Sequence, residues 1–303
     1  MTKLTLISFS ETDLEAIASH VGRVAVFVDG EGKMDLAARR VNRLTKGAVA
    51  RLLESERWQK MKDGEVVSMA YPAGMVADAV DIVRLERNAK GVPARKAGAT
   101  LAKTRGGKAD MLVICATLRR AEDVVYGLAM RDYAFEDHKS AESTRSGAVK
   151  VMSSKPDELE AACRPLLAVA EGAHMCRDLT NEPANILTTT NYAQRLKEME
   201  SLGLKVEVLD EKALAKLGMR TLLSVGQGSV SPSYVVVTRW DGGRQGDAPL
   251  ALVGKGVVFD TGGISLKPGA NMGDMTMDMG GSAVVAGVMR TLALRGAKAN
   301  VVG

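Results

Sequence analysis

The segment Leu250–Gly303 carries isolated charged side chains within an otherwise apolar sequence. They are Lys255, Asp260, Lys267, Asp274 and Asp278. Leu250–Val253 and Val257–Phe259 are short apolar runs bounded by glycine, which predicts buried strands. Asp260 would then follow the end of a strand, where ligands of open α/β sheets bind. Two lysines and two aspartates brought to such an edge, in a chain with 3 histidines, indicate an oxygen-rich metal site.

Each of these charges also has a simpler interpretation. A charged residue between apolar ones is often a surface-loop residue, and Gly262-Gly263 is typical of a turn. The prediction of a metal site therefore depends on the residues acting as a set.

A longer pattern joins the members of this set. It consists of Val-Gly-Lys-Gly-Val-Val-Phe-Asp-Thr-Gly-Gly-Ile-Ser-Leu-Lys at Val253–Lys267, Asn271-Met272, and Asp278–Gly281. The pattern resembles the signature of the leucyl aminopeptidase family, the cytosolic dinuclear-metal aminopeptidases. Weaker similarity to that family is found at Arg177–Asn185 and Val225–Ser229. The resemblance covers residues 160–303 well and the first half of the chain loosely.

The resemblance implies a role for each matching residue. Lys255 and Asp278 would be ligands of the tighter metal, and Asp260 would bridge two metals. Lys267 would be a catalytic cation, and Met275 would line the pocket for the first side chain of the substrate. The implied cofactors are two divalent ions, manganese or zinc, with magnesium or cobalt also fitting. The implied activity is a broad, leucine-preferring metallo-aminopeptidase that acts on peptides through metal-activated water.

The two lysines would need opposite protonation states. A lysine binds a metal only as the neutral amine, and a free lysine, with a pKa of about 10.4, loses its proton at neutral pH at a cost of about 4–5 kcal/mol. We therefore expect Lys255 to be buried in an apolar strand. Lys267 precedes Pro268-Gly269 and is expected on a loop, where it would stay protonated and stabilise an oxyanion.

One part of the family pattern has no match in this sequence. The family's second motif, Asn-Thr-Asp-Ala-Glu-Gly-Arg-Leu, supplies an aspartate, a glutamate and an arginine, and the 303 residues do not contain it. The chain is therefore expected to be C-terminally truncated, to end in a strand at Asn300–Gly303, and to have little or no activity by itself. The resemblance also implies a homo-oligomer, a hexamer.

Length and composition favour a soluble protein of two domains. The chain has 303 residues, with 46% hydrophobic and 25% charged residues. No apolar run approaches the ~20 residues of a membrane span, and the N-terminus lacks the pattern of a signal peptide. The 3 cysteines have no paired spacing, which fits a reducing cytoplasm. These features predict a cytoplasmic protein without membrane contact.

The predicted fold class is α/β. A smaller N-terminal α/β domain, residues 1–155, would be followed by a linking helix and the first part of a mixed-sheet α/β catalytic domain, residues 156–303. Alternating apolar runs and helical stretches predict a largely parallel first sheet. The predicted strands of the first domain are Leu4–Phe9, Val24–Val28, Val66–Ala70 and Met111–Ala116. Its predicted helices are Leu36–Leu44, Ala48–Lys60, Ala94–Lys103 and Ala121–Phe135.

The second half has predicted elements of both kinds. Its predicted helices are Glu158–Leu179, with a kink or restart at Pro165, Asn191–Leu202, Glu211–Leu217 and an apolar run from Gly280 through Leu294. Its further predicted strands are Leu204–Leu209 and Tyr234–Thr238.

A basic stretch suggests a second function. The whole chain has a net charge of +5, and residues 84–108 concentrate positive charge against Glu86 alone. The basic residues are Arg84, Arg87, Lys90, Arg95, Lys96, Lys103, Arg105 and Lys108. The stretch is either a solvated helix face or a patch for an anion or nucleic acid, as in a non-catalytic DNA-associating or regulatory module. It lacks interleaved aromatic residues, so stacking on single strands is disfavoured.

Overall fold

The computed structural model describes residues 2–141 and 147–303. The chain forms two compact units. The first unit is Lys3–Ala170, and the second is Thr2 with Glu171–Gly303. They divide inside a long helix, α7, at Pro156–Asn181. The proposed domain boundary at residues 155 and 156 stays a prediction.

The sheet of the first unit is largely parallel, as the sequence predicts. Its strands are β1 (Ile7–Glu11), β2 (Arg23–Val28), β3 (Val66–Ala70), β4 (Ala79–Arg84), β5 (Met111–Ile114) and β6 (Val149–Ser153). They lie in the order β1-β6-β5-β2-β4-β3. β3 pairs antiparallel with β4, and the other neighbours pair in parallel.

Helices cover both faces of this sheet. They are α1 (Ala16–Ser19), α2 (Leu36–Leu44), α3 (Ala48–Leu53), α4 (Glu56–Lys60), α5 (Gly91–Arg105) and α6 (Ala121–Arg131), followed by α7. One face forms an aliphatic core with α5 and α6, and the other with α2 and α3. The sequence predicts a single helix at Ala48–Lys60, and this is wrong. Ser55 caps α4 by accepting a hydrogen bond from the Trp58 amide at 3.3 Å, which begins a new helix.

Helices α5 and α6 touch through two glycines. A Cβ added to Gly98 would lie 1.8 Å from the carbonyl oxygen of Val124. A Cβ added to Gly127 would lie 2.0 Å from the carbonyl oxygen of Arg95. Both distances are far inside van der Waals contact with backbone atoms, so the helices can approach this closely only where the Cβ is missing.

We expect Gly98→Ala to destabilise the chain by about 1–3 kcal/mol, because the added methyl group forces the helices apart. Urea unfolding followed by circular dichroism measures this change. Gly228→Ala is the matched control, since nothing lies within 4 Å of the added Cβ. A Gly98→Ala variant as stable as Gly228→Ala would show that the helices can separate without cost.

The buried cysteines provide a second test of this packing. Cys115 and Cys163 are buried, whereas Cys176 is half-buried. Burial raises the pKa of Cys115, and it raises the pKa of Cys163 to about 12. The thiolate is the reactive form, so both thiols should react slowly in the folded chain.

With an aromatic disulfide reagent at mildly alkaline pH, we expect Cys176 to react first and the two buried cysteines only on unfolding. Mass spectrometry of labelled peptides identifies the site, and denatured chain gives the reference rate. Labelling of Cys163 at the denatured rate in native chain would contradict its burial.

The second unit contains a mixed sheet, which confirms that part of the predicted fold class. Its strands are β7 (Lys205–Leu209), β8 (Val235–Asp241), β9 (Leu250–Ala251) and β10 (Asn300–Val302), in the order β7-β8-β10-β9. β10 is antiparallel to β8 and parallel to β9. The predicted strand at Asn300 is therefore confirmed.

Three of the four helices that follow α7 correspond to predicted helices, and the one at Arg220–Gly226 is not predicted. The four helices are α8 (Thr189–Lys197), α9 (Glu211–Lys216), α10 (Arg220–Gly226) and α11 (Gly280–Arg295), with 3-10 turns at Glu198–Leu202 and Met272–Met277. Within the described part of the chain, no helix is both long and apolar enough to cross a membrane.

The strands predicted beside the candidate site are largely absent. Of the residues in the two predicted strands, only Leu250 and Ala251 pair with β10, and both are exposed rather than buried. Val257–Phe259 has no strand conformation and is half-buried. The chain leaves the sheet after Leu252, whose amide donates to the Val302 carbonyl at 2.8 Å. The prediction of two buried strands is wrong, because an apolar run forms a strand only where a neighbouring strand accepts it.

Candidate metal centre

The backbone of Lys255 is held against the start of helix α11. The Ser282 amide donates to the Lys255 carbonyl at 2.9 Å. Gly254 packs directly on Gly281, where an added Cβ would lie 2.5 Å from the carbonyl carbon and oxygen. Two glycines in contact thus fix the position from which the lysine side chain extends.

Asp278 lies between the 3-10 turn at Met272–Met277 and helix α11. Its Oδ2 is 2.9 Å from Lys255 Nζ, so the structure brings these two predicted ligands together. Oδ2 is buried, and it accepts no hydrogen bond of good geometry from the described residues. The ion pair is close but misaligned, which leaves this oxygen available to a cation.

Asp260 pairs with Lys267. Lys267 Nζ lies 2.7 Å from Asp260 Oδ2, and the Gly262 amide donates to Asp260 Oδ1 at 2.8 Å. The turn depends on Gly262, whose φ is +90°. The hydrogen bond from Lys267 is the largest cause that lowers the pKa of Asp260, followed by the Gly262 amide, and the charge of Lys255 adds to the effect. The Asp260 carboxylate is therefore ionised at neutral pH.

Met275 contacts the second lysine. Lys267 Nζ donates to Met275 Sδ at 3.1 Å, so Lys267 lies between a carboxylate and a thioether. The structure thus places four of the predicted site residues in two ion pairs, and the fifth, Met275, in contact with Lys267.

The donor set suits a hard or borderline cation. Two carboxylates and one amine are oxygen and nitrogen ligands of the kind that manganese, zinc, magnesium or cobalt accept. Among residues 2–141 and 147–303, no group of three or more His, Cys, Asp or Glu side chains forms a complete metal cluster. Asp260, Asp278 and Lys255 therefore provide donor types that such a cation binds, within the two ion pairs.

One expectation about Lys255 is wrong. Its side chain is 59% exposed, whereas burial in an apolar strand was predicted. The reason is the missing strand: the segment after Leu252 turns away from the sheet and leaves the side chain in solvent.

Tyr192 and Ser282 are site residues that the sequence does not single out. Tyr192 Oη lies 2.9 Å from Ser282 Oγ, and burial raises the pKa of Tyr192 to about 12. Ser282 directly follows Gly280-Gly281 at the start of a helix, and that position is a usable signal. Tyr192 has no such signal, because 90 residues separate it from its partner.

An apolar cleft of about 680 Å³ adjoins Lys255. Strand β8, helix α8 and the segment 251–259 form its walls. Its lining includes Tyr192, Leu196, Val236, Val258 and Val285. The cleft provides an apolar surface next to the polar residues of the candidate site.

The basic stretch at 84–108 does not form a row of free cations. Arg105 is buried and paired with Asp132. Arg95 Nε is 2.8 Å from Asp123, and Arg87 Nε donates to the Thr117 carbonyl at 3.0 Å. The DNA-associating alternative gains no support from this geometry.

Comparisons with known proteins identify similar aminopeptidases. Residues 174–303 match the model of the cytosol aminopeptidase family, catalytic domain. A "Probable cytosol aminopeptidase" of Dinoroseobacter shibae is 57% identical over 303 residues, which are 100% of this chain and 62% of that protein. Residues 174–303 carry the catalytic-domain pattern of the cytosol aminopeptidase family. This confirms the resemblance to leucyl aminopeptidases found in the sequence.

Solved structures of similar proteins share the fold. The bottromycin maturation enzyme BotP, in complex with Mn, is 27% identical with a TM-score of 0.69, and the match covers 93% of this chain and 58% of that one. A mutant of tomato leucine aminopeptidase has a TM-score of 0.76 at 18% identity, covering 98% of this chain and 61% of that one. The chain thus spans about three fifths of the length of the cytosol aminopeptidases and structures that it matches.

Proposed function

We propose that this chain contributes to a metallo-aminopeptidase that releases N-terminal residues, preferably leucine-like ones, from peptides. The observation that carries the proposal is the pairing of Lys255 with Asp278 and of Asp260 with Lys267. Both pairs lie within the segment that matches the family's catalytic domain. Similarity to the cytosol aminopeptidase family supports a hydrolase of peptides, and the Mn complex of BotP supports manganese.

Each residue has a proposed role. Lys255 and Asp278 would hold the tighter of two divalent ions, manganese or zinc, and Asp260 would be shared by both. When bound, such ions activate a water molecule and anchor the free amine of the substrate. Lys267, held by Asp260, would remain a cation and stabilise the developing oxyanion. Met275, in contact with Lys267, would face the first side chain of the substrate.

Lys255 places the strongest demand on this proposal. As the ammonium it pairs with Asp278, but a ligand must be the neutral amine. Because a ligand lysine must be deprotonated, a bound divalent cation would have to displace its proton. The affinity of the site is therefore expected to fall steeply as the pH is lowered.

The 303 residues contain a part of the proposed site. The family's motif with the further aspartate, glutamate and arginine is not among them. We therefore propose that the 303-residue chain by itself has little or no activity. The hexameric assembly and the cytoplasmic location are also proposals from similarity to the family.

Metal titration tests the proposed function. In a chain extended through the missing motif, calorimetry with Mn²⁺ or Zn²⁺ should detect two ions, and Asp278→Asn should weaken binding at least ~10-fold. Asp274→Asn is the matched control, because Asp274 is exposed on the neighbouring 3-10 turn. Binding that Asp278→Asn leaves unchanged, or no binding by the extended chain, contradicts the proposal. Hydrolysis of Leu-p-nitroanilide by the 303-residue chain alone would contradict its expected inactivity.

A further inference from the structure

A pair of hydroxyl groups lies directly behind the Lys255 backbone. Tyr192, on helix α8, reaches Ser282, the third residue of helix α11, at 2.9 Å between the two oxygens. Tyr192 is 5% exposed, so its hydroxyl is removed from bulk water. This contact joins elements that are 90 residues apart in sequence.

The direction of the hydrogen bonds follows from the number of protons. Ser282 Oγ has one proton and donates it to the Met279 carbonyl at 2.8 Å. Tyr192 must therefore donate to Ser282 Oγ, which accepts. The Ser282 amide, in turn, donates to the Lys255 carbonyl at 2.9 Å. Ser282 thus connects the tyrosine to the first predicted metal ligand, with its side chain bonded to Tyr192 and its backbone amide bonded to the Lys255 carbonyl.

The same serine holds the second predicted ligand. Met279, whose carbonyl accepts from Ser282, directly follows Asp278. Ser282 therefore binds the backbone on both sides of the Lys255–Asp278 pair, whose side chains are 2.9 Å apart. A shift of the Ser282 backbone would change the separation of the two ligands, because its amide binds the Lys255 carbonyl.

The packing leaves little freedom for this arrangement. A Cβ on Gly256 would lie 3.2 Å from Ser282 Oγ, and a Cβ on Gly281 would lie 3.1 Å from the Lys255 amide nitrogen. Ser282 is thus closely surrounded by the segment that it holds, and the Tyr192 hydroxyl fixes its rotamer.

We infer that Tyr192 and Ser282 are positioning residues, which set the separation of Lys255 and Asp278 for cation binding. The inference rests on the proposed function and deepens it. Neither side chain touches the cation or the substrate in this role. Both act through the Lys255 carbonyl and the start of helix α11.

Single-atom variants test this inference with two measurements. Tyr192→Phe removes the hydroxyl and keeps the ring, and Ser282→Ala removes the acceptor. In the metal-free 303-residue chain, amide hydrogen exchange at Ser282 should become about 10-fold faster in both variants. In the extended chain, Mn²⁺ affinity measured by calorimetry should fall about 10-fold in both.

Three further variants separate positioning from general stability. Ser282→Thr keeps the hydroxyl and should restore Mn²⁺ affinity. The double variant Tyr192→Phe with Ser282→Ala should bind Mn²⁺ as weakly as either single variant, because each single change removes the same Tyr192–Ser282 hydrogen bond. Tyr126→Phe, a half-buried tyrosine of the first unit, should leave Mn²⁺ affinity unchanged.

The outcomes are distinct. Mn²⁺ affinity within about twofold of wild type in Tyr192→Phe and Ser282→Ala would overturn the inference, while the proposed function stands. If the extended wild-type chain binds no Mn²⁺, the proposed function fails and the cation-binding role fails with it, and the metal-free exchange then decides only whether the two hydroxyls hold the Ser282 backbone. Unchanged exchange at Ser282 overturns that role, and faster exchange in both variants supports it.

Discussion

Replacing Arg105 with methionine should destabilise the first unit by about 3–5 kcal/mol, because the change leaves a buried carboxylate without its cation. The Arg105 side chain is 1% exposed and is paired with Asp132. Its guanidinium also donates to the carbonyls of Gly107 at 3.3 Å, Ala109 at 3.0 Å and Gly147 at 2.9 Å. Methionine has a similar length but satisfies none of these acceptors.

Urea unfolding of the 303-residue chain measures the loss. Arg164→Met is the matched control, because Arg164 forms an exposed pair with Glu160, and such pairs contribute about 0–1 kcal/mol. Arg105→Met with the stability of the control would mean that water or another cation satisfies Asp132. The double variant Arg105→Met with Asp132→Leu should recover part of the loss, since it removes the buried carboxylate as well.

Replacing Lys267 with methionine should lower kcat of the extended chain about 10²- to 10³-fold, the effect of losing one donor to an oxyanion. Metal binding should persist. Lys267 is the largest cause of the lowered pKa of Asp260, so its loss lets that pKa return toward its ordinary value. The ordinary value, about 3.9, is still far below neutral pH, and Asp260 stays ionised.

The measurement combines steady-state hydrolysis of Leu-p-nitroanilide with calorimetric metal titration of the same variant. Lys298→Met provides the control, because Lys298 is exposed and lies outside the candidate site. An unchanged kcat would remove Lys267 from the proposed chemistry. Loss of metal together with activity would instead assign it a role in holding Asp260.

Local signals predict parts of this fold to the residue. Helix α2 spans Leu36–Leu44 as expected, because Asp35 caps it by accepting from the Ala38 amide at 2.9 Å. Strand β3 also has its predicted ends. Strand β4 is missed, because Asp81 interrupts its apolar pattern, and the sequence alone does not show that Arg23 will pair with this carboxylate at 2.6 Å.

In the candidate site, too, features that depend on sequence neighbours can be predicted and features that depend on distant residues cannot. The order of charges around Asp260 and the following glycine turn can be predicted, since both depend on neighbours in sequence. The exposure of Lys255 depends on which strand accepts Leu250–Val253, and no local pattern contains that information. The Tyr192–Ser282 contact is likewise non-local, so it becomes visible only when the two helices are in place.

The contact of Gly254 with Gly281 has a consequence for protein engineering. The two backbones are in direct contact there, and a Cβ added to Gly254 would lie 2.5 Å from the carbonyl group of Gly281. The position of the Lys255 Cα is thus fixed by a contact between backbones and not by packing of side chains. Libraries that diversify the apolar cleft should therefore keep both glycines fixed and can randomise the apolar lining around them.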